Sequence, residues 1–217
     1  KSAKPRLVVY PTWSPENPTE KKITLWEREK CRTVTLLHLG NYSFAHSLED
    51  LKALVGVAPA ECTFRLVVVN PSERARKQFN ELAYYDSVRV EFHPRQPFET
   101  LKSWIKRKNI DWGLVTLDAR FAGALSPSKF HTYLDLNLPL LYFGPRGTNA
   151  GLYCEKYGAG LAVPPGDPKW ILQEMLTLHR DHKARRGMLN CVSKARNRMH
   201  AFDARGFCKL LEEILEE

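Results

Sequence analysis

The segment Ser126-Pro127-Ser128-Lys129 brings together two hydroxyls and an ammonium. These groups are common partners of phosphate in proteins. Ser128 is positioned to cap a short predicted helix, 128–136, so that Lys129 falls in its first turn, where the helix dipole disfavours a cation. A bound anion would relieve this conflict. The segment therefore favours an anionic ligand, and the alternative is that Ser128 serves only as a helix cap.

Glycines flank a second predicted helix, 149–157, which follows the sequence GPRGT. Thr148 and Asn149 are candidate caps of this helix, whose first N–H groups have no partner within the helix. Arg146 is a candidate phosphate contact, and a solvated loop arginine is the alternative. The segment thus offers a second set of groups for the same anion.

Gly40 ends a β-branched and leucine-rich run, 33–40, and Asn41 follows it in the loop before a predicted helix at 47–56. Glycine allows the backbone to approach a phosphate closely, and the start of the helix offers free N–H groups. The segment lacks both G-x-G-x-x-G and a Walker A lysine, so it is neither a dinucleotide fingerprint nor a P-loop. A purely structural glycine is an equal alternative.

Strand and helix patterns alternate from residue 33 onward, and the residues above follow the strands. The predicted strands are 33–40, 64–70, 87–94, 112–118, 138–144 and a short 160–163. The predicted helices are 47–56, 72–85, 98–109, 128–136, 149–157, 168–180, 183–200 and 203–217. This order predicts an α/β fold: a Rossmann-like parallel sheet with helices on both faces and a C-terminal helical tail. Such sheets bind ligands beyond the carboxyl ends of their strands.

Three regions are predicted along the 217 residues. Residues 1–32 contain a short strand, 6–10, and a proline-rich linker. Residues 33–182 form the Rossmann-like domain. Residues 183–217 form helices that pack on this domain or on a missing N-terminal domain.

The composition restricts the classes of function. No apolar run is long enough for a transmembrane helix, and the five cysteines are scattered without C-x-x-C spacing, so we expect a reduced, cytoplasmic protein without a metal site. The net charge of +9 is concentrated in 183–205. The partner of this basic stretch would be a phosphorylated molecule, an anionic membrane surface or nucleic acid. The alternative is that the stretch is a solvated helical face without a partner. The absence of aromatic–basic interleaving and of a helix-turn-helix argues against nucleic acid.

Two segments carry a family resemblance: SPSKFHTYLDLNLPLLYFG (126–144) and GLYCEKYGAGLAVPPGDP (151–168). They resemble the C-terminal, donor-binding domain of GT-B glycosyltransferases of the glycosyl transferases group 1 type, in which PSK-x-x-x-Y-L precedes a strand and G-x-G-x-x-V-x-P-x-D closes the donor site. LHLGNYSFAHSLEDL is similar to the first strand and phosphate loop of that domain. The resemblance covers about residues 34–167 and implies one half of a GT-B fold.

The resemblance implies a hexosyltransferase-like enzyme of glycan, polysaccharide or glycolipid synthesis. A nucleoside-diphosphate sugar would be the donor substrate, with no separate cofactor and no metal. The diphosphate would lie near Gly40, Asn41 and the start of helix 149–157, and the ribose and phosphates near Ser128 and Lys129. The nucleobase would lie against Phe92, His93 and Pro94.

The sequence also departs from the family pattern. Ala124 and Thr132 stand where the family commonly has paired glutamates, Asn137 stands where glycine is frequent, and no arginine–lysine pair follows Gly40.

The length accommodates one GT-B domain, so a glycan or lipid-linked acceptor would bind an absent N-terminal domain or a partner subunit. We therefore assign no catalytic residue and expect little transfer by the isolated chain. A contact with the inner membrane face is compatible with a lipid-linked acceptor. The alternative is a non-catalytic GT-B-like binding or regulatory domain.

Overall fold

Runs of β-branched and leucine residues form a six-stranded parallel sheet at the centre of the structure. The computed structural model describes residues 33–163, 168–200, 207–209 and 211–212. The strands are β1 (Thr33–Leu39), β2 (Thr63–Val69), β3 (Val88–His93), β4 (Trp112–Thr116), β5 (Leu140–Phe143) and β6 (Gly160–Val163). Strands β4 and β5 are buried along their whole length because helices cover both faces of the sheet.

The helices divide between the two faces of the sheet, each over its own apolar core. One face carries α1 (Glu49–Gly56), α2 (Glu73–Leu82) and α6 (Pro168–Arg180). The other carries α3 (Phe98–Lys108), α4 (Lys129–Asp135), α5 (Asn149–Tyr157) and α7 (His182–His200). This arrangement confirms the predicted Rossmann-like fold with helices on both faces. Residues 207–209 and 211–212 are also helical.

The strand order is β3-β2-β1-β4-β5-β6, so the direction of winding reverses between β1 and β4. The loops that follow these two strands meet at the carboxyl edge of the sheet. The Asp118 N–H donates to the Ala45 carbonyl at 2.8 Å, and the Phe44 ring packs edge-on against Phe121 at 5.2 Å. The fold therefore brings the segments after β1 and β4 together at the position where such sheets bind ligands.

Several element boundaries differ from the predicted ones for local reasons. The second helix begins after Ser72, because the Ser72 hydroxyl accepts a hydrogen bond from the Ala75 N–H and acts as its cap. Strand β4 ends at Thr116, because Asp118 leaves the sheet and its carboxylate accepts from the Arg120 N–H at the start of a 3₁₀ turn, Ala119–Phe121.

Parts of the predicted organisation lie outside the described residues. These parts are the strand 6–10, the linker within 1–32, residues 164–167 of the V-x-P-x-D segment, and residues 201–206, 210 and 213–217, most of which belong to the predicted helix 203–217. In the described part of the chain, helix α7 packs against α4, α5 and α6. None of the described helices combines the length and the apolarity needed to cross a bilayer.

Candidate functional site

Lys129, the first residue of α4, reaches across the junction of the two loops. Its ammonium donates to the Asn41 carbonyl at 2.8 Å and to His46 Nε2 at 3.3 Å. In the described part of the chain, no carboxylate lies within ion-pair distance of this ammonium. Partial burial lowers the pKa of Lys129 to about 8. Since an ammonium has three N–H donors, one remains to bind an anion.

His46 is held in one tautomer by β4. Its Nδ1 lies 2.7 Å from the Thr116 carbonyl oxygen, and this oxygen can only accept a hydrogen bond. Nδ1 therefore carries the proton, and Nε2 presents a lone pair to the Lys129 ammonium. Burial, followed by the charge of Lys129, lowers the pKa of His46, so the ring is neutral at pH 7.

His38 lies behind this pair at the end of β1 and is 2% exposed. Its ring packs on Phe79 at 5.0 Å and lies 6.3 Å from the His46 ring. Within the described residues, neither ring nitrogen has a partner in hydrogen-bond geometry. Burial is the main cause that places its pKa well below the ordinary value, and the charge of Lys129 adds to it. A second neutral imidazole thus lies behind the ammonium.

Gly40 leaves the backbone open to a ligand beside Lys129. Its φ of +73° is one that side chains rarely adopt, and no atom lies within 4 Å of where a Cβ would stand. The start of α1 is less suited to an anion, because Glu49 and Asp50 occupy its first turn. These carboxylates complement the helix dipole and would repel an anion, so they disfavour a phosphate here, and the predicted role of this helix start in phosphate binding stays a prediction.

The caps of α5 and α4 are only partly as predicted. The Thr148 hydroxyl accepts from the Gly151 N–H at 3.2 Å and caps α5. Asn149 does not cap this helix, because its side-chain amide donates to the Ser126 hydroxyl at 3.2 Å. Ser128 has helical backbone angles and makes no side-chain cap, so its predicted capping role is wrong. The Asn149–Ser126 bond instead ties the start of α5 to the segment that carries Lys129.

The other predicted site residues lie farther along the same edge. Arg146 is exposed, and its Nε lies 3.5 Å from a Glu155 carboxylate oxygen. At the end of β3, His93 Nε2 lies 3.2 Å from Glu91 Oε2, and Pro94 is exposed. The structure thus brings Gly40, Asn41 and Lys129 together and leaves His93 and Pro94 two strands away.

Sequence reasoning missed the histidines and Thr116. His46 is a single histidine in a polar loop, and its contact with Lys129 joins residues separated by 83 positions. No spacing in the sequence reveals such a contact. The exposed Phe44 was also missed; it packs on Phe121 at the rim of the site. Among the described residues, no group of three His, Cys, Asp or Glu side chains is arranged to hold a metal ion.

No family model and no curated protein matches this sequence. Solved structures do match its fold. HepE from Anabaena, in complex with UDP-glucose, is 14% identical with a TM-score of 0.56, and the match covers 85% of this chain and 49% of HepE. The lipopolysaccharide outer core galactosyltransferase WaaB, in its apo form, is 14% identical with a TM-score of 0.53, and the match covers 84% of this chain and 49% of WaaB. TarM from S. aureus, in complex with fondaparinux, α-GlcNAc-glycerol and UDP, is 12% identical with a TM-score of 0.53, and the match covers 90% of this chain and 37% of TarM.

The chain has the fold of one GT-B domain. It spans about half the length of HepE and WaaB. The match to one half of these proteins, together with the helices that follow the sheet, agrees with the resemblance to the C-terminal domain of a GT-B glycosyltransferase.

Proposed function

We propose that this chain is the nucleotide-sugar-binding half of a glycosyltransferase, with a nucleoside-diphosphate sugar as its donor. The observation that carries the proposal is the position of Lys129, which presents a free N–H where the loops after β1 and β4 meet. Structures of the same fold hold UDP or UDP-glucose. The open space at the Cβ position of Gly40 supports the proposal, because it leaves room for a diphosphate beside the ammonium.

The chemistry proposed for this site is electrostatic. Negative charge builds on the departing diphosphate as the glycosidic bond breaks, and a fixed ammonium stabilises that charge more than it stabilises the ground state. The first N–H groups of α5 add a favourable dipole on the side held by Asn149 and Ser126. The nucleobase is proposed to lie toward His93 and Pro94. No proton-transfer role is assigned.

The acceptor is proposed to bind elsewhere, because the chain spans about half the length of HepE. A glycan or lipid-linked acceptor would be bound by an N-terminal domain or a partner subunit. The exposed Lys183, Arg186 and Lys194 of α7 are available to an anionic membrane surface. Other basic residues of α7 have internal partners: Arg185 pairs with Asp111, and Arg198 lies over the Tyr157 ring.

A second candidate is a GT-B-like domain that binds its ligand and performs no transfer. The observation that favours it is the absence of acids at Ala124 and Thr132, the positions that carry paired glutamates in the resembled family. Incubation with UDP-glucose, with acceptor sugars and with water as acceptor separates the two candidates. Release of UDP above the uncatalysed rate supports the transferase. Because the isolated chain is expected to transfer little, binding without release supports the second candidate only when the acceptor-binding domain or partner subunit is present in the assay.

Calorimetric titration of the 217-residue chain with UDP, GDP, dTDP, ADP and CMP at pH 7 tests the proposed ligand. We expect one nucleoside diphosphate to bind, and Lys129→Ala to weaken its binding about tenfold or more, since a charge-assisted hydrogen bond contributes about 1.5–3 kcal/mol. Lys77→Ala, at an exposed lysine of α2, is the matched control and should bind as the parent does. If the parent binds none of the five at millimolar concentration, the proposal is wrong.

A further inference from the structure

We propose that ligand binding at Lys129 is linked to the protonation of this lysine, and that His46 is the positioning residue that aims its ammonium at the ligand. The inference rests on the proposed function, because it takes the phosphate of a nucleotide sugar as the ligand. It adds a residue that the sequence did not single out and a dependence of the binding on pH.

The partners of the Lys129 ammonium explain the linkage. Both are neutral acceptors: the Asn41 carbonyl at 2.8 Å and the Nε2 lone pair of His46 at 3.3 Å. An ammonium in a partly buried position normally has a carboxylate to offset its lost hydration. Here a bound phosphate would be the first full negative charge to face it. Phosphate therefore stabilises the protonated lysine far more than the neutral one.

The charged and titratable groups around the pair are engaged elsewhere or neutral. From β1, the buried ring of His38 faces His46. From the loop after β1, the Tyr42 ring lies 5.3 Å from that of His46. From the loop after β4, the Asp118 carboxylate is bound by the Arg120 guanidinium at 2.7 Å. From the first turn of α1, Glu49 pairs with Lys52 at 2.9 Å.

His46 fixes the direction of the ammonium. The Nδ1–H···O bond to Thr116 at 2.7 Å anchors the ring to the end of β4, so Nε2 is held at one place beside Lys129. With Nε2 and the Asn41 carbonyl occupying two N–H groups, the third is the only one left to turn toward a ligand. An acceptor at the Nε2 position is therefore the property of His46 that matters for binding.

The pH dependence of binding follows from the pKa of Lys129, which burial lowers to about 8. At pH 7 most of the free protein carries the ammonium, and at pH 9 most of it does not. If only the ammonium form binds, the affinity falls about tenfold between pH 7 and pH 9. Below pH 7 Lys129 is already protonated, so its titration no longer changes the affinity.

One variant of Lys129 and two variants of His46 separate charge and position from general structural effects. Lys129→Arg keeps a positive charge that does not titrate, so its affinity for UDP-glucose should not show the fall between pH 7 and pH 9. His46→Gln places an amide oxygen near the Nε2 position and should retain the parent pH profile. His46→Asn keeps a donor for Thr116 and lacks that acceptor, so it should bind about threefold or more weakly at pH 8, with its profile shifted to lower pH.

The experiment is a series of calorimetric titrations with UDP-glucose at pH 6.5, 7, 8 and 9 on the 217-residue protein, with Lys77→Ala as the control. UDP-glucose is chosen because both of its phosphates are esterified and keep their charge over this range, and any other ionisation of the ligand affects all variants equally. The inference is overturned if the parent affinity is the same at pH 7 and pH 9, if Lys129→Arg falls as the parent does, or if His46→Asn and His46→Gln behave alike.

A measurement without ligand keeps this test separate from the proposed function. Acetic anhydride labels neutral amines, so the labelling rate of Lys129, followed by peptide mass spectrometry, reports its protonation. We expect half-maximal labelling at about pH 8 in the parent and in His46→Gln, and at lower pH in His46→Asn. If none of the five nucleotides of the calorimetric screen binds at pH 7, the proposed function fails, and the labelling decides whether the Lys129–His46 coupling exists. A midpoint above pH 10, as in a solvated lysine, would contradict it.

Discussion

The buried Asp111 and the partly buried Arg185 form an ion pair at the amino-terminal edge of the sheet, with Asp111 Oδ1 3.0 Å from Arg185 Nη2. The other carboxylate oxygen of Asp111 accepts from the Thr35 N–H at 2.9 Å, and His179 Nε2 lies 3.6 Å from it. His179 is near the end of α6, Arg185 is near the start of α7, and these helices cover opposite faces of the sheet. The pair therefore fixes the point at which the chain crosses from one face to the other, on the edge opposite the candidate site.

Removal of the Asp111 carboxylate should destabilise the fold strongly. Asp111→Ala leaves a half-buried guanidinium and a backbone N–H without their acceptor, and we expect a loss of about 3–5 kcal/mol in the free energy of unfolding. Asp111→Asn keeps an acceptor for Thr35 and should lose less. Urea denaturation measures both, with the exposed Asp86→Ala as the control, expected within about 0.5 kcal/mol of the parent. Equal effects at Asp111 and Asp86 would show that the ion pair does not stabilise the fold.

Tyr133 connects helix α4 to β1 and so sets the distance between Lys129 and Asn41. Its hydroxyl donates to the Leu37 carbonyl and accepts from the Leu39 N–H, both at 3.0 Å. We expect Tyr133→Phe to cost about 1–3 kcal/mol of unfolding free energy, because the two backbone groups lose their partner. It should also weaken nucleotide binding, since the end of β1 is released from α4. Unchanged stability together with unchanged affinity would contradict this role.

Thr148 should stabilise helix α5 through its cap. Its hydroxyl accepts from the Gly151 N–H at 3.2 Å and lies 2.8 Å from the Tyr142 hydroxyl. Thr148→Ala removes both contacts, and we expect a loss of about 1–2 kcal/mol in thermal or urea unfolding. Thr148→Ser keeps the hydroxyl and should therefore retain most of the stability that Thr148→Ala loses. A serine variant as unstable as the alanine variant would assign the effect to the lost methyl group instead of the cap.

Three buried or partly buried histidines should make the protein less stable as the pH falls from about 7 to about 5. The pKa values of His38, His46 and His131 are all lowered, mainly by burial. The unfolded chain therefore binds protons below about pH 6.5 that the native state does not bind, and each group contributes up to about 1.4 kcal/mol per pH unit. The lowered pKa of Glu91 acts only below about pH 4.5, outside this window.

His38 provides the check on this pH effect, because it is the most deeply buried of the three. Urea denaturation at pH 5, 6 and 7 should show a smaller pH dependence for His38→Leu than for the parent. The pH dependence of the unfolding free energy that remains in His38→Leu would arise from His46 and His131. A slope unchanged by the substitution would mean that His38 is protonated in the native state.

The sequence predicted the fold well because its signals are local. The run TVTLLHL and the helix pattern of 149–157 each repeat an apolar spacing over a few residues, and both elements form where expected. The predicted cap at Thr148 depends only on neighbours along the chain and is confirmed, whereas the cap at Ser128 fails because the backbone there is already helical.

The centre of the candidate site was less accessible to prediction. The contacts of Lys129 with Asn41 and His46 depend on strand order, which no local spacing encodes. The same holds for Asp111 and Arg185, since nothing in an isolated aspartate or in a basic stretch reveals that they pair. Contacts of this kind become visible only once the sheet is assembled.

The most direct test of the account is a titration of the ¹⁵N-labelled 217-residue chain with UDP-glucose, followed through its backbone amide signals. We predict saturable shifts at Gly40, Asn41 and Lys129, and their loss in Lys129→Ala with the fold intact. Shifts confined to the exposed basic residues of α7, or the absence of shifts with millimolar UDP-glucose and with every nucleotide of the calorimetric screen, would contradict a nucleotide-sugar site at the junction of β1 and β4.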